Sequence, residues 1–381
     1  MSDRLARQFA FLNEADRLKS VSRANVLSDL SRAENSAEHS WHGALYGMVF
    51  GASDRALAML VLHDLVEIDC GDHPIHLPHD ADAVALAEAR AARRLFGILP
   101  EPAPLAGLWD EFASGRTAAA RQALRMDHVQ PLFQVLGAPA PLPAHLQIVR
   151  DNLDRGRAAR LDREWPAVMQ AARCLLAGQC LPEHDSASRD LAARLRFLIE
   201  ADRLKSVLRA NTLIDRSRRE NTAEHSWHLA LYALVLADQA GPGVNVGRAI
   251  RMLLLHDLVE IDVGDVPIHS ANGQAHGSDQ RRQAELAAAQ RLFGLLPAAT
   301  GAGFLALWRE FEEARSADAI FAKALDRCQP LMQNLASGGA GWVEYDVGYA
   351  QVESRVGVWI DRGAPDIWRY LDLRLKAHFA A

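Results

Sequence analysis

Glu14–Val49, EADRLKSVSRANVLSDLSRAENSAEHSWHGALYGMV, is restated as Glu200–Val235, EADRLKSVLRANTLIDRSRRENTAEHSWHLALYALV, with 27 of the 36 positions identical. Further on, HDLVEID with a following Gly-Asp and a Pro-Ile-His recurs at His63 and at His256. Shared helical composition does not produce identity at this level, so the 381-residue chain is a tandem duplication with a period of about 190 residues. Repeats kept only for packing preserve apolar spacing and let polar residues drift. Here the His, Asp and Glu residues coincide, which points to chemistry in both copies.

Working outward from these stretches, the pattern is helical almost throughout, and the expected fold is all-α: two helical bundles related by the duplication. Asn35 and Glu38 stand as N-cap and N3 of a helix, followed by Trp41, Ala44, Leu45, Met48 and Val49 at helical spacing. Asn221, Glu224, His225, Trp227, Ala230 and Leu231 repeat the arrangement. Ala56–Ile68 and Ala249–Ile261 read as buried helices closed by Gly71 and Gly264. The Leu-Trp-x-Glu-Phe segments at Leu108 and Leu307 read as helices ending at Gly or Pro, and no alternating strand pattern of useful length is visible. Leu181–Asp190, short, polar and proline-containing, is the expected linker between domains 1–180 and 191–381.

Composition narrows the function classes. With 49% hydrophobic and 24% charged residues the chain reads as an ordinary globular protein, and a net charge of −6 gives no general attraction to nucleic acid or to anionic membranes. The amino terminus carries no apolar run of signal-peptide type, and no uncharged apolar stretch of membrane-spanning length occurs, so a cytoplasmic location is expected. Cys70, Cys174, Cys180 and Cys328 fall at unrelated points of the two copies without metal-type spacing and read as free thiols.

Four ligand-type residues recur per copy: His39, His63, Asp64 and Asp127, then His225, His256, Asp257 and Asp326. The last pair is aligned by its neighbours, Met126-Asp-His-Val-Gln-Pro-Leu against Leu325-Asp-Arg-Cys-Gln-Pro-Leu. Two imidazoles and two carboxylates suit a borderline divalent transition ion such as Mn, Co, Fe, Ni or Zn, one per copy. A single buried His-Asp pair is more often a hydrogen-bonded core pair than a ligand set, but two copies of the whole set favour metal.

His…His-Asp…Asp on helices resembles the HD-domain superfamily of metal-dependent phosphohydrolases. RLKSV-R, R-EN-AEHS and HD--E---GD-P resemble its 5'-deoxynucleotidase branch. The resemblance covers about Phe11–Leu136 and Phe197–Trp342. It implies that Glu67 and Glu260 are the catalytic carboxylates beside the metal, and helical spacing from the His-Asp pair agrees. It also implies that Asp72 and Asp265 act near the leaving oxygen, although a Gly-Asp turn is common without catalytic meaning. Arg23 and Arg209 match an arginine placed on substrate phosphate, with surface arginine as the alternative. The implied substrate is a small phosphate ester, a (deoxy)nucleoside 5'-monophosphate. The fused copies would reproduce as a pseudo-dimer the dimer common among single-copy relatives. A phosphodiesterase or pyrophosphohydrolase of the superfamily, and a noncatalytic nucleotide sensor, are the other readings.

Several residues invite more than they support. Trp41 and Trp227 lie in an apolar helix stripe and are expected to pack in the core, while His42 and His228 are expected to support the ligands from behind or to face solvent. His73, His76 and His79 cluster in the first copy only, His76 alone having a counterpart, His269. The second copy stays closer to the family pattern, since Lys323 is replaced by Leu124 and Ser337–Trp342 by the proline-rich Gly137–Pro143.

Overall fold

The computed structural model describes residues 2–268 and 278–380, and His269 lies outside them. The first copy comprises α1 (Ser2–Ala15), a hairpin of β1 (Ser22–Val26) and β2 (Ala33–Asn35), α2 (Ser36–Val49), α3 (Asp54–Leu62), α4 (Glu67–Cys70), α5 (Ala81–Phe96), α6 (Ala103–Ser114), α7 (Ala118–Leu136), α8 (Pro143–Arg155), α9 (Arg157–Leu161) and α10 (Pro166–Leu176). The second repeats the plan with α11 (Ser186–Ala201), β3 (Leu208–Thr212), β4 (Arg219–Asn221), α12 (Thr222–Val235), α13 (Val246–Leu255), α14 (Glu260–Val263), α15 (Asp279–Phe293), α16 (Ala298–Glu313) and α17 (Ala317–Ala336). It ends with α18 (Ala340–Glu344), α19 (Tyr349–Val352), α20 (Val358–Gly363) and α21 (Pro365–Ala380). The all-α class and the duplication both hold.

Two expectations need correction. Each copy contains a short antiparallel hairpin, β1 with β2 and β3 with β4. Its strands are three to five residues long and mostly polar, too short and too irregular in register for alternation to show. The expected continuous helices over 56–68 and 249–261 are interrupted. After Leu62 the chain tightens into a 3-10 turn over His63–Val66 before α4, and α13 ends at Leu255 ahead of the corresponding turns. The tighter winding falls on the His-Asp pair, so helical periodicity through it places these side chains only approximately. A smaller departure is the end of α16, where Ala314 rather than Gly takes the left-handed conformation at φ 47°. The start of α11 takes in Ser186–Asp190 of the expected linker, with Asp185 accepting a hydrogen bond from the Ser188 N–H at 2.7 Å.

Asn35 and Asn221 cap α2 and α12 with complete capping boxes, each side chain accepting from the backbone N–H of Glu38 or Glu224. The two helices pack against each other at the centre, and every residue of α2 is buried. Trp41 and Trp227 are core residues, as expected, and each also crosses to the other copy. The Trp41 indole N–H donates to Leu254 O at 3.2 Å, and that of Trp227 to Val61 O at 3.0 Å. The Asn35 amide donates to Glu224 at 2.6 Å and the Asn221 amide to Glu38 at 2.7 Å. Each contact has its counterpart with the copies exchanged, the signature of twofold pairing. One contiguous core runs through both copies. The four cysteines are free, and no helix among the described residues is long and apolar enough to cross a membrane.

Candidate metal centres

The caps determine where the first ligands sit. Because the capping box fixes the first turn of α2, His39 projects from that turn into the interior, where α7 brings Asp127 and the turn after α3 brings His63 and Asp64. Nε2 of His39 is 2.9 Å from Asp127 Oδ1 and 3.9 Å from Asp64 Oδ2; Nε2 of His63 is 3.1 Å from Asp64 Oδ1 and 3.6 Å from Asp127 Oδ1. In the second copy His225 Nε2 lies 3.4 Å from Asp326 Oδ1 and 3.8 Å from Asp257 Oδ2, while His256 Nε2 lies 3.0 Å from Asp257 Oδ2 and 3.8 Å from Asp326 Oδ1. All eight expected ligands therefore converge in two sets of four. Ligand atoms of His39, His63 and Asp127, and of His225, His256 and Asp257, all fall within 4.8 Å of one another, with Asp64 and Asp326 alongside.

The histidine tautomers fit a cation. His63 Nδ1 donates to Leu60 O at 2.9 Å, His256 Nδ1 to Leu253 O at 2.8 Å, His39 Nδ1 to Gln130 Oε1 at 2.8 Å and His225 Nδ1 to Gln329 Oε1 at 3.0 Å. A neutral ring donating from Nδ1 presents a bare Nε2, and here each Nε2 faces ionised carboxylates that can only accept. The Nε2 atoms of His63 and His256 are buried without a hydrogen-bond partner. Lone pairs aimed at carboxylates inside a protein require a positive charge between them, supplied by a metal ion or by an extra proton. Burial alone would lower the His63 pKa, but Asp64 and Asp127 outweigh it and lift the ring to about 9. Asp127 moves the other way: burial would raise it, and the neighbouring imidazoles of His39 and His63 hold it well below the usual carboxylate range.

An arginine gathers the remaining carboxylates. Arg23 Nη1 lies 3.1 Å from Asp64, 3.6 Å from Glu67 and 3.5 Å from Asp72, and Arg209 Nη1 lies 2.9 Å from Asp257, 4.0 Å from Glu260 and 3.7 Å from Asp265. These are not surface arginines. Their side chains are 15% and 14% exposed, the remaining opening being toward the pocket. Gly71 and Gly264, at φ 74° and 69°, turn the chain after α4 and α14 so that Asp72 and Asp265 reach the guanidinium. Burial drives Glu67 and Glu260 well above the usual carboxylate range, the neighbouring Asp64 or Asp257 adds to the effect, and the arginine opposes it. Glu67 accepts from the Ser36 hydroxyl, and Glu260 from that of Thr222 at 2.8 Å.

Both sites open into pockets of similar size, about 420 Å³ in the second copy and about 410 Å³ in the first. Their walls differ. The second carries Arg281, Lys323 and Arg327 with Trp342, Tyr345 and Trp359; the first has Leu124, His128, His145 and Arg157 together with His73, His76 and His79. The histidine cluster thus lines the first pocket without joining the ligand set. Residues missed in the sequence are Ser36 and Thr222, Glu34 and Glu220, and Gln130 and Gln329. The glutamates and glutamines are repeated inside the motifs already quoted, so recurrence in both copies was their available signal.

The family model described as HD domain matches residues 15–169 and 201–368. The chain belongs to the HD-domain family. The chain resembles the 5'-deoxynucleotidase HDDC2 of Xenopus laevis, with 31% identity over 42% of this chain and 73% of that protein. It likewise resembles the 5'-deoxynucleotidase HDDC2 of Homo sapiens, with 31% identity over 36% of this chain and 65% of that protein. The crystal structure of a predicted metal-dependent phosphohydrolase from Magnetospirillum magnetotacticum MS-1 is 44% identical, covers 50% of this chain and 95% of its own, and has a TM-score of 0.46. Each HD domain here thus carries the His, His-Asp, Asp set in the geometry described above.

Proposed function

We propose that each copy holds one divalent transition ion through its two histidines and two aspartates and releases phosphate from a small phosphomonoester, a (deoxy)nucleoside 5'-monophosphate. The chain is an HD-domain hydrolase. The observation that carries the metal assignment is the pair of imidazole Nε2 atoms directed at ionised carboxylates beneath an open pocket. The nucleotide assignment rests on the relatives, which are 5'-deoxynucleotidases. We place the two domains at 1–180 and 191–381, joined through 181–190.

The bound ion supplies Lewis acidity toward water and the phosphoryl group. Glu67 and Glu260, whose carboxyls burial pushes well above the usual carboxylate range, are the groups placed beside the centre to hold or pass a proton. Asp72 and Asp265 hold the guanidinium on its pocket side, and Arg23 or Arg209 orients the phosphate dianion. In the second copy the other cations of the wall also pair with carboxylates: Arg281 with Glu285 at 2.5 Å, Arg282 with Asp279, Lys323 with Glu312 at 3.2 Å, and Arg327 with Asp326 at 3.7 Å. Arg209, which gathers Asp257, Glu260 and Asp265 beside the centre, is the single guanidinium we assign to a terminal phosphate, and this favours a monophosphate over a triphosphate.

Phosphate release from a panel of nucleoside mono-, di- and triphosphates, cyclic nucleotides and cyclic dinucleotides, with manganese, cobalt, magnesium and zinc in turn, tests this reading. Monophosphates are expected to be the best substrates. Efficient triphosphate or cyclic-dinucleotide hydrolysis with poor monophosphate turnover would overturn it in favour of a pyrophosphohydrolase or phosphodiesterase. Arg209→Ala should impair hydrolysis of a nucleoside monophosphate and of a small activated aryl phosphate alike, because both present the phosphate dianion that Arg209 orients. A loss confined to the nucleotide would move Arg209 from the phosphate to the nucleoside part of the substrate.

Metal uptake should be linked to protons. With its pKa near 9, His63 carries a proton on Nε2 at neutral pH in the absence of metal, and an ion must displace it. Affinity at the first centre is therefore expected to rise with pH up to about 9 and then level off. Titration calorimetry of manganese binding in buffers of different ionisation enthalpy should show proton release at pH 7.5. A heat independent of buffer would contradict the assignment.

A further inference from the structure

Two lysines are completely buried at the junction of the copies. Lys19 and Lys205 have fully inaccessible side chains, and a buried ammonium persists only among anionic or strongly accepting partners. Each lysine pairs with the aspartate three residues before it, Asp16 or Asp202, and then reaches into the other copy. Lys205 Nζ donates to Glu34 Oε1 at 2.7 Å, Gln134 Oε1 at 2.9 Å and His42 Nδ1 at 3.0 Å. Lys19 Nζ donates to Glu220 Oε1 at 2.7 Å and His228 Nδ1 at 3.0 Å. Asp16, Glu220 and His228 have the spacing of a third metal cluster, but the Lys19 ammonium is the cation they hold. His42 and His228 are accordingly buried, not solvent-facing, and each donates from Nε2 to a carbonyl of the other copy, Leu198 or Leu12.

From these lysines the network leads to the metal centres. Gln130 Nε2 donates to Gln134 Oε1 at 2.5 Å and to Glu34 Oε1 at 3.3 Å, the two oxygens that Lys205 holds. That orientation of the amide turns Gln130 Oε1 toward His39, which donates to it from Nδ1 and so keeps Nε2 bare. In the other direction, Lys19 holds Glu220, Gln329 Nε2 donates to Glu220 Oε1 at 3.1 Å, and Gln329 Oε1 accepts from His225 Nδ1. The second carboxylate oxygens of Glu34 and Glu220 lie 3.7 Å from Nε of Arg23 and Arg209, so the same glutamates back the arginine.

We propose that Lys19 and Lys205 are positioning residues that act across the copy boundary, each setting through a glutamate and a glutamine the tautomer and lone-pair direction of the leading histidine in the other copy's centre. Lys205 of the second copy serves His39, and Lys19 of the first serves His225. Neither centre is complete within its own copy. This inference rests on the metal-centre reading above.

The test is the crossing itself. In an Asp257→Ala background, which leaves the first centre intact, Lys205→Met should weaken manganese binding about 10- to 100-fold, the usual cost of losing an outer partner of a ligating histidine. Lys19→Met in that background should leave the affinity within about twofold, an effect too small to register against losses of that size. In an Asp64→Ala background the two variants should exchange roles. Affinity is read from the free Mn(II) electron paramagnetic resonance signal, and the thermal midpoint is recorded alongside. A general structural role would lower the midpoint and weaken both centres alike, and that result would overturn the proposal, as would a loss confined to the lysine's own copy. Should a methionine variant fail to fold, Lys205→Gln and Lys19→Gln, which keep a donor, replace it; failure of these as well assigns the lysines to folding and overturns the proposal. If the parent variants bind no ion, the metal-centre reading itself falls, a result distinct from normal binding without crossed losses.

Discussion

Glu260→Gln is expected to lower phosphate release by a factor on the order of 10² to 10⁴ while leaving metal content and fold unchanged, as loss of a general acid/base does. The amide nearly matches the carboxyl in shape, keeps the contact with the Thr222 hydroxyl at 2.8 Å, and faces Arg209 Nη1 at 4.0 Å. What it loses is a carboxyl able to take up and release a proton, one that burial pushes well above the usual carboxylate range. The same substitution at Glu67 should cost less of the total activity, because the second pocket keeps Lys323 and an aromatic wall where the first has Leu124 and histidines. Measurement of kcat and KM with metal content determined on the same samples decides this. If Glu67→Gln proves the more damaging change, the first copy is the principal site.

The second large effect is on metal stoichiometry. The intact chain should bind two divalent ions after mild chelation and reloading, and Asp257→Ala should reduce this to one. Asp257 contacts His225, His256 and Arg209 at once, so its removal takes away one of four ligands and the neighbouring charge that offsets the guanidinium. The remaining ligands form an incomplete shell with a net positive neighbour beside it. The first centre, built from His39, His63, Asp64 and Asp127, should load as before. Elemental analysis of the two proteins under saturating manganese checks the numbers. A single ion in the unaltered chain, or retention of two in the variant, would reject one equivalent centre per copy.

Much of the centre was legible because ligand chemistry restricts residue type. A position that must present an imidazole or a carboxylate stands out when it recurs in two copies, and the duplication made His39 and His225, the His-Asp pairs, Asp127 and Asp326 readable together. The capping boxes at Asn35 and Asn221 were readable for the same reason: they are local, closing within four residues. The hairpins were not, because strands this short are held by pairing with each other and by the cap that follows rather than by a pattern of their own. Nor was the break in the helix at His63, since a change from α to 3-10 winding alters no residue type.

By itself the sequence determined the duplication, the helical class and the recurring His, Asp and Glu residues that converge in each copy. Only the tertiary structure decided that Arg23 and Arg209 are buried among carboxylates, that the first pocket is walled by histidines and the second by cations and aromatic rings, and that each buried lysine reaches into the opposite copy. The reason is physical: local signals such as caps, periodicity and ligand type depend on a few neighbouring residues. The placement of an ammonium 171 residues along the chain from its glutamate, as for Lys205 and Glu34, depends on how two folded bundles meet.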